Sequence, residues 1–327
     1  MCALRHLLVV ASFDGCPGFV RLVIFAGREA ALRNKSRAPR RTIDLATGGS
    51  TLPAMPLATD AKLATFRDLH TAGCFVIPNP WDAGSARYLE QLGFKALATT
   101  SSGCAWSQGL ADNQVPLDAA LANLRDIAEA VQIPVNADFE GGFAIEPAGV
   151  ATNVVQAAHT GVAGISIEDS TGDPAQPMFD FALAVARVRA ARLVLDRVAP
   201  KIILTARTEG FIVGRPDLAE TVKRLRAFAQ VGADCLYAPG IRTPEEIATV
   251  VAPAAPKPVN VLVGSDFIAV ADLATLGVRR ISVGGALARA AWGEFMRAAS
   301  EIATHGTFSA FARAVPFPQV NGLFKVD

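Results

Sequence analysis

Acidic residues recur at the ends of short apolar runs in this 327-residue chain. VNADFEGG supplies Asp138 and Glu140, GISIEDS supplies Glu168 and Asp169, and IILTARTEG ends on Arg207 and Glu209. Carboxylates on successive runs, with one arginine opposite, suit a divalent-metal site that also clamps an anion. Mg²⁺ keeps several waters and accepts one or two carboxylates together with substrate oxygens. Asp138 is expected to bind the ion directly, with Glu140 and Glu168 holding its waters. Asp138 and Glu140 are two residues apart, and an extended backbone turns both side chains the same way. Alternatively each acid caps the helix after its strand, which suits any one of them better than all three beside Gly141 and Gly142.

Other polar groups fall at similar places. Arg207 closes an apolar run, and its planar guanidinium suits bidentate carboxylate binding; an ion pair to Glu168 or Glu209 is compatible with that role. Thr100-Ser101-Ser102-Gly103 offers hydroxyls and N–H groups for a carboxylate, although such runs also make ordinary loops. Asn79 and Asp82 follow the first run, and a long loop after the second carries Asp112. Asn260 lies early in its run, farther from the strand end. VGGALARAA reads equally as a phosphate loop or a close-packed turn. His70, His159 and His305 sit in helical or near-terminal stretches, so no histidine metal cluster is indicated. Cys104 has no histidine placed to activate it and reads as a small buried thiol.

The elements that must position these groups are evenly paced. Eight β-type runs begin at Phe75, Ala96, Val135, Gly164, Ile202, Cys235, Val259 and Arg280, at onsets 21 to 39 residues apart. Helical stretches such as LDAALANLRDIAEAV lie between them, the rhythm of βα units. Several runs read as apolar on both faces, as in a parallel sheet covered by helices. No GxGxxG opens a helix, so a (β/α)₈ barrel over residues 55–295 is predicted rather than a doubly wound sheet. A helical tail follows at 296–327.

Composition narrows the classes further. The chain is 51% hydrophobic and 19% charged, with net charge +1, which excludes a disordered chain or a coiled coil. No stretch of about 20 residues is continuously apolar, so no membrane span is expected. Residues 1–54 hold eight Lys/Arg and three acids, leaving a mildly acidic body without a nucleic-acid footprint. That segment reads as an unstructured leader or an upstream start ahead of Met55, with a transit peptide as the alternative. Five scattered cysteines fit reduced thiols in a cytoplasmic protein.

With these residues in place, the sequence resembles the isocitrate lyase/phosphoenolpyruvate mutase superfamily. NPWDAGSARYLEQLGFKAL, TTSSG, GLADNQVP, PVNADFEGG, GVAGISIEDS, ARTEG, GADCLYAP and RISVGGALARAA occur in family order across residues 60–295. The resemblance implies Mg²⁺, with Mn²⁺ an alternative, near Asp138, supported by Asp112, Glu140 and Glu168. It implies substrate binding by Thr100, Ser101, Ser102, Arg207 and Asn260, and catalytic roles for Arg207, Glu168 and Asp112. It also implies a homo-oligomer, tetramer or dimer, exchanging a C-terminal helix around Trp292 to Phe311.

The loop after the fourth run departs from the family. Family lyases carry a catalytic Cys there in a Lys-Lys-Cys-Gly-type loop, and the phosphonate enzymes carry Lys, Thr and Asn. Here EDSTGDPAQPMFDF has neither Cys nor Lys, and Tyr237-Ala238-Pro239-Gly240 supplies no acid. The expected activity is a Mg²⁺-dependent lyase or decarboxylase acting on a small 2-oxo or 2-hydroxy carboxylate through a metal-stabilised enolate. P–C bond chemistry of the mutase or phosphonopyruvate hydrolase type is the alternative. A 2-oxo acid-binding protein without turnover is the second.

Overall fold

Residues 58–325 are described by a computed structural model; the leader read from residues 1–54 lies outside them. Each of the eight runs holds one strand: β1 (Phe75–Ile77), β2 (Leu97–Ala98), β3 (Val135–Asp138), β4 (Gly164–Glu168), β5 (Ile203–Arg207), β6 (Cys235–Tyr237), β7 (Val259–Leu262) and β8 (Arg280–Ser282). All pairings are parallel, in the order β1-β8-β7-β6-β5-β4-β3-β2. The remaining seam, between β1 and β2, is bridged by the Ala98 N–H donating to Pro78 O at 3.1 Å. This is a (β/α)₈ barrel.

Asn79 latches that seam. Its Nδ2 donates to Thr99 O at 2.8 Å, while its Oδ1 accepts the N–H groups of Val283 and Gly284 at 2.9 and 2.8 Å. One side chain thus ties together the chain just past β1, β2 and β8.

The helices are α1 (Asp60–Leu69), α2 (Ala83–Gln91), α3 (Ser101–Ser107), α4 (Leu117–Ala130), α5 (Pro147–Ala158), α6 (Phe181–Val198), α7 (Leu218–Gln230), α8 (Pro244–Ala254), α9 (Val270–Thr275), α10 (Ala286–His305) and α11 (Phe317–Gly322). The long second interval contains two of them, α3 and α4. α10 runs unbroken through residue 295, where the sequence division placed the start of the tail. No helix among the described residues is long and apolar enough to cross a membrane.

The strands are not apolar on both faces as the sequence suggested; they alternate. Val135 and Ala137, Ile165 and Ile167, Leu204 and Ala206, Val259 and Val261 belong to the hydrophobic core. Their neighbours Asn136, Asp138, Ser166, Arg207, Tyr237, Asn260, Arg280 and Ser282 line a single cavity of about 180 Å³. Side chains alternate with period two along a strand, and fully burying an aliphatic one contributes about 2 kcal/mol. The apolar positions therefore hold the barrel together from one face, leaving the other face free for polar groups.

Candidate active site

The ends of β3, β4 and β5 bring Asp138, Glu168 and Arg207 together. One oxygen of Asp138, Oδ2, accepts both the N–H and the hydroxyl of Ser101 at 3.0 Å. Its other oxygen faces Arg207 Nη1 at 3.3 Å, and the same Nη1 lies 3.1 Å from Glu168 Oε2. Arg207 also forks onto Glu209, Nε meeting Oε1 and Nη2 donating to Oε2 at 3.0 Å. The Asp138 N–H donates to Thr99 Oγ1 at 2.9 Å, fixing where the carboxylate leaves the strand. Arg207 thus serves as an internal ion-pair hub for three acids.

Local structure explains these positions. Thr100-Ser101-Ser102-Gly103 begins α3 rather than a loop: Thr100 is its N-cap, accepting the Gly103 N–H at 3.3 Å. The Ser101 N–H that grips Asp138 is therefore a free donor of the first helical turn, oriented toward negative charge. The VGGALARAA turn is closely packed. A Cβ on Gly285 would lie 2.7 Å from Ser102 Oγ, and one on Gly103 would lie 3.3 Å from Ala288 Cβ, so α3 and the start of α10 pack here backbone to side chain.

Glu140 reaches the site by a different route from the one expected. β3 ends at Asp138, and Glu140 has φ +46°, so the extended-backbone reasoning for this pair fails. A non-glycine residue held left-handed costs about 1 kcal/mol or more and needs surrounding support. Arg187 on α6 supplies it, donating to the carbonyls of Gly141, Ala144 and Ile145 while stacking over Phe179. Glu140 still shares a small pocket with Asp138, Ser101 and Cys104.

Crowding of negative charge dominates the electrostatics. Burial, then the charges of Asp138 and Asp112, push the Glu140 carboxyl up to about 7. Asp112 is raised by burial and Asp138, and Glu168 well above its ordinary value by burial despite Arg207. Arg207, surrounded by Glu168 and Glu209, is held firmly protonated. Among the described residues no three His, Cys, Asp or Glu side chains close around a metal position by themselves. The set is nevertheless all-oxygen and carries more negative charge than one arginine balances. That suits a hard divalent ion which takes few direct carboxylates and keeps its waters.

The remaining strand-end residues divide into lining and supporting groups. Asp112, Thr100, Ser101 and Ser102 line the cavity. It opens through Ser102, Asp112, Leu262 and Gly285 into an outer chamber of about 390 Å³. Asp82 instead caps α2, accepting the Ser85 N–H at 2.7 Å. Asp169 is buried on Thr208 Oγ1, Glu209 N and Arg224, bracing the chain after β5. Asn260 lines the cavity but is fully buried, and its amide is engaged by Arg280 and Ser282. Tyr237, Arg280 and Ser282, which also line it, were not singled out from the sequence. Their signal was present as polar residues alternating with Leu236 and Ile281.

The loop after β4 folds back on itself through an antiparallel bridge between Ser170 and Met178. Thr171 N–H donates to Pro177 O at 3.1 Å, and the loop brings neither thiol nor amine to the mouth.

A family model described as phosphoenolpyruvate phosphomutase matches residues 66–303. The chain belongs to this family. It is thereby a member of the isocitrate lyase/phosphoenolpyruvate mutase superfamily of enzymes. An uncharacterized protein of Mycobacterium tuberculosis is 34% identical over 67% of this chain and 81% of its own length. The 2-methylisocitrate lyase of Escherichia coli is 29% identical over 48% of this chain and 54% of that enzyme. The oxaloacetate decarboxylase of Pseudomonas fluorescens is 30% identical over 56% and 64%. Among solved structures, a Burkholderia cenocepacia protein described as a lyase/mutase is 46% identical, with TM-score 0.78 over 81% of this chain and 96% of that one. Phosphonopyruvate hydrolase in complex with oxalate and Mg²⁺ is 25% identical, with TM-score 0.71 over 80% and 95%.

Proposed function

We propose that this family member is a Mg²⁺-dependent lyase or decarboxylase. Its substrate is a small 2-oxo or 2-hydroxy carboxylate whose C–C bond breaks to leave an enolate. The observation that carries this reading is the Asp138 carboxylate, held between Ser101 and Arg207 and crowded by Glu140, Glu168 and Asp112. Asp138 would hold the ion directly, with Asp112, Glu140 and Glu168 orienting its waters; Mn²⁺ would fit the same donors. When bound, the ion supplies a Lewis acid for the substrate's 2-oxygen and carboxylate.

The chain's own residues do the rest. Ser102 and Thr100 would present hydroxyls to the substrate carboxylate at the first turn of α3, with Ser101 between them holding Asp138 through its N–H and hydroxyl. Arg207 contributes fixed positive charge beside the developing oxyanion, pre-oriented by Glu209, so no reorganisation is needed as charge develops. Asn260 lines the cavity with its amide oriented by Arg280 and Ser282, which leaves its second Nδ2 proton for a substrate oxygen. Decarboxylation of an oxaloacetate-like substrate needs no added base to start, which agrees with a loop after β4 that carries neither Cys nor Lys. Retro-aldol cleavage of a substituted malate would use the same groups, with a carboxylate of the acidic cluster taking up the 2-hydroxyl proton.

The C-terminal segment exposes Trp292, Phe295, Met296, Phe308, Phe311 and Phe317. An apolar face of that kind supports assembly into a homo-oligomer, tetramer or dimer, through this segment. The test of function is NMR-followed incubation of full-length protein and Mg²⁺ with oxaloacetate, 2-methylisocitrate, isocitrate, dimethylmalate and phosphonopyruvate, with EDTA as control. Chelator-sensitive release of pyruvate, glyoxylate or propionate is expected. A change confined to the phosphorus signal of phosphonopyruvate would move the enzyme to P–C chemistry, and binding without turnover would make it a 2-oxo acid-binding protein.

A further inference from the structure

Cleavage to an enolate leaves a carbon that must be protonated, and the loop after β4 brings no thiol to do it. The wall of the cavity formed by β6, β7 and β8 carries a hydrogen-bond chain that begins at Arg280. Arg280 is buried and has only donors. It meets three neutral acceptors: Asn260 Oδ1 at 2.9 Å, Thr205 Oγ1 at 3.1 Å and His70 Nε2 at 3.4 Å. His70 is neutral, because burial and Arg280 hold its pKa to about 3. Its Nδ1 lies 2.7 Å from Phe66 O, which leaves Nε2 as the acceptor.

With Asn260 Oδ1 turned to Arg280, its Nδ2 must donate to Ser282 Oγ, 2.9 Å away. The Ser282 hydroxyl is the donor to the Tyr237 hydroxyl oxygen, 3.5 Å away. With Ser282 as donor the phenolic proton points elsewhere, and among the described residues no hydrogen bond takes it up. Tyr237 lines the same cavity as Asp138 and Arg207, with the Arg207 guanidinium carbon 5.2 Å from its ring centroid.

We propose that Tyr237 is the catalytic acid of this site, delivering its phenolic proton to the enolate carbon after C–C cleavage. The assignment rests on the enolate chemistry proposed above. In the step, the electron pair of the broken C–C bond has become the enolate π pair. That pair forms a new C–H bond with the Tyr237 proton as the O–H bond breaks. The phenolate left behind accepts the Ser282 hydrogen bond, faces the Arg207 cation, and regains a proton from water as product leaves. Burial keeps the phenol protonated at neutral pH, its pKa pushed up to about 12.

The test separates carbon protonation from bond cleavage. In D₂O with Mg²⁺, wild-type protein is expected to exchange the methyl protons of pyruvate, followed by ¹H NMR. Tyr237→Phe should lower exchange and turnover about 100-fold, the usual range for losing a general acid. Oxalate affinity in the presence of Mg²⁺ should stay within about twofold, because oxalate needs no proton. Ser282→Ala, which keeps the phenol but frees its orientation, should lower kcat about tenfold with KM unchanged. Unaltered exchange in a folded Tyr237→Phe variant overturns the assignment, as does wild-type protein that binds oxalate but exchanges no pyruvate protons. Failure of the wild type to bind oxalate overturns the enolate reading itself, and the proton-donor role with it.

Discussion

Around the cavity, β3 and β5 present Asp138 and Arg207, backed by Glu168 at the end of β4 and Glu209 just beyond β5; β6, β7 and β8 present Tyr237, Asn260, Arg280 and Ser282, with no carboxylate among them. On the first wall the acids raise one another's proton affinity, and their excess charge calls for a cation. On the second, one buried guanidinium meets only neutral acceptors, and burial keeps His70 and Tyr237 uncharged near neutral pH. Separation of this kind has a physical use. A proton donor seated among the carboxylates would lose its proton when a cation arrived; Tyr237, one strand beyond Arg207 and hydrogen-bonded to Ser282 rather than to a carboxylate, keeps it.

The largest expected effect comes from breaking the acidic wall. Asp138→Ala should lower turnover by at least about 1000-fold and abolish Mg²⁺-dependent oxalate binding. The melting temperature should change little, since Arg207 keeps its pairs with Glu168 and Glu209. Unchanged oxalate affinity in isothermal titration would remove the metal assignment.

Breaking the neutral wall should instead show in stability. Arg280→Met leaves Asn260 Oδ1, Thr205 Oγ1 and His70 Nε2 without their donor, with an expected loss of about 3 kcal/mol. A urea titration would read it as a lower midpoint at unchanged slope; an unshifted midpoint would show that solvent satisfies these acceptors.

A pH series sharpens the contrast. In metal-free protein the Glu140 carboxyl holds its proton to about 7 against an ordinary 4.5. Between those values the folded state binds the proton that the unfolded chain has released. Stability should therefore fall as pH rises through that window and level off above it. Glu140→Gln should flatten the slope in melting curves taken with EDTA, and a variant as pH-sensitive as wild type would place the titration elsewhere.

The smallest effect is a control outside both walls. Asp82→Ala should cost about 1 kcal/mol, or about 2 °C, through loss of the α2 cap, with activity unchanged.

Asp82 also shows how far reading the strand ends can go. By sequence it was one more polar residue after an apolar run, like Asp138. Only the backbone direction after β1 turns it onto Ser85. Asn79 is similar: its position was legible, but its use as a latch across β1, β2 and β8 needs the closed barrel. Glu140 was drawn to the site by a spacing rule that its left-handed backbone does not obey.

What the sequence determined by itself was the set of eight strands, their parallel pairing, and the acids and arginine at their ends. Those features depend on local periodicity and on short-range propensity, both written along the chain. Which polar residues share a cavity was decided by tertiary structure alone. Arg280, Asn260, Ser282 and Tyr237 come from three strands and are separated by up to 45 positions. Their common function exists because barrel closure puts alternate side chains on one inner surface. The hydrogen bonds among them, anchored by one buried donor, are a property of that contact and of no segment alone.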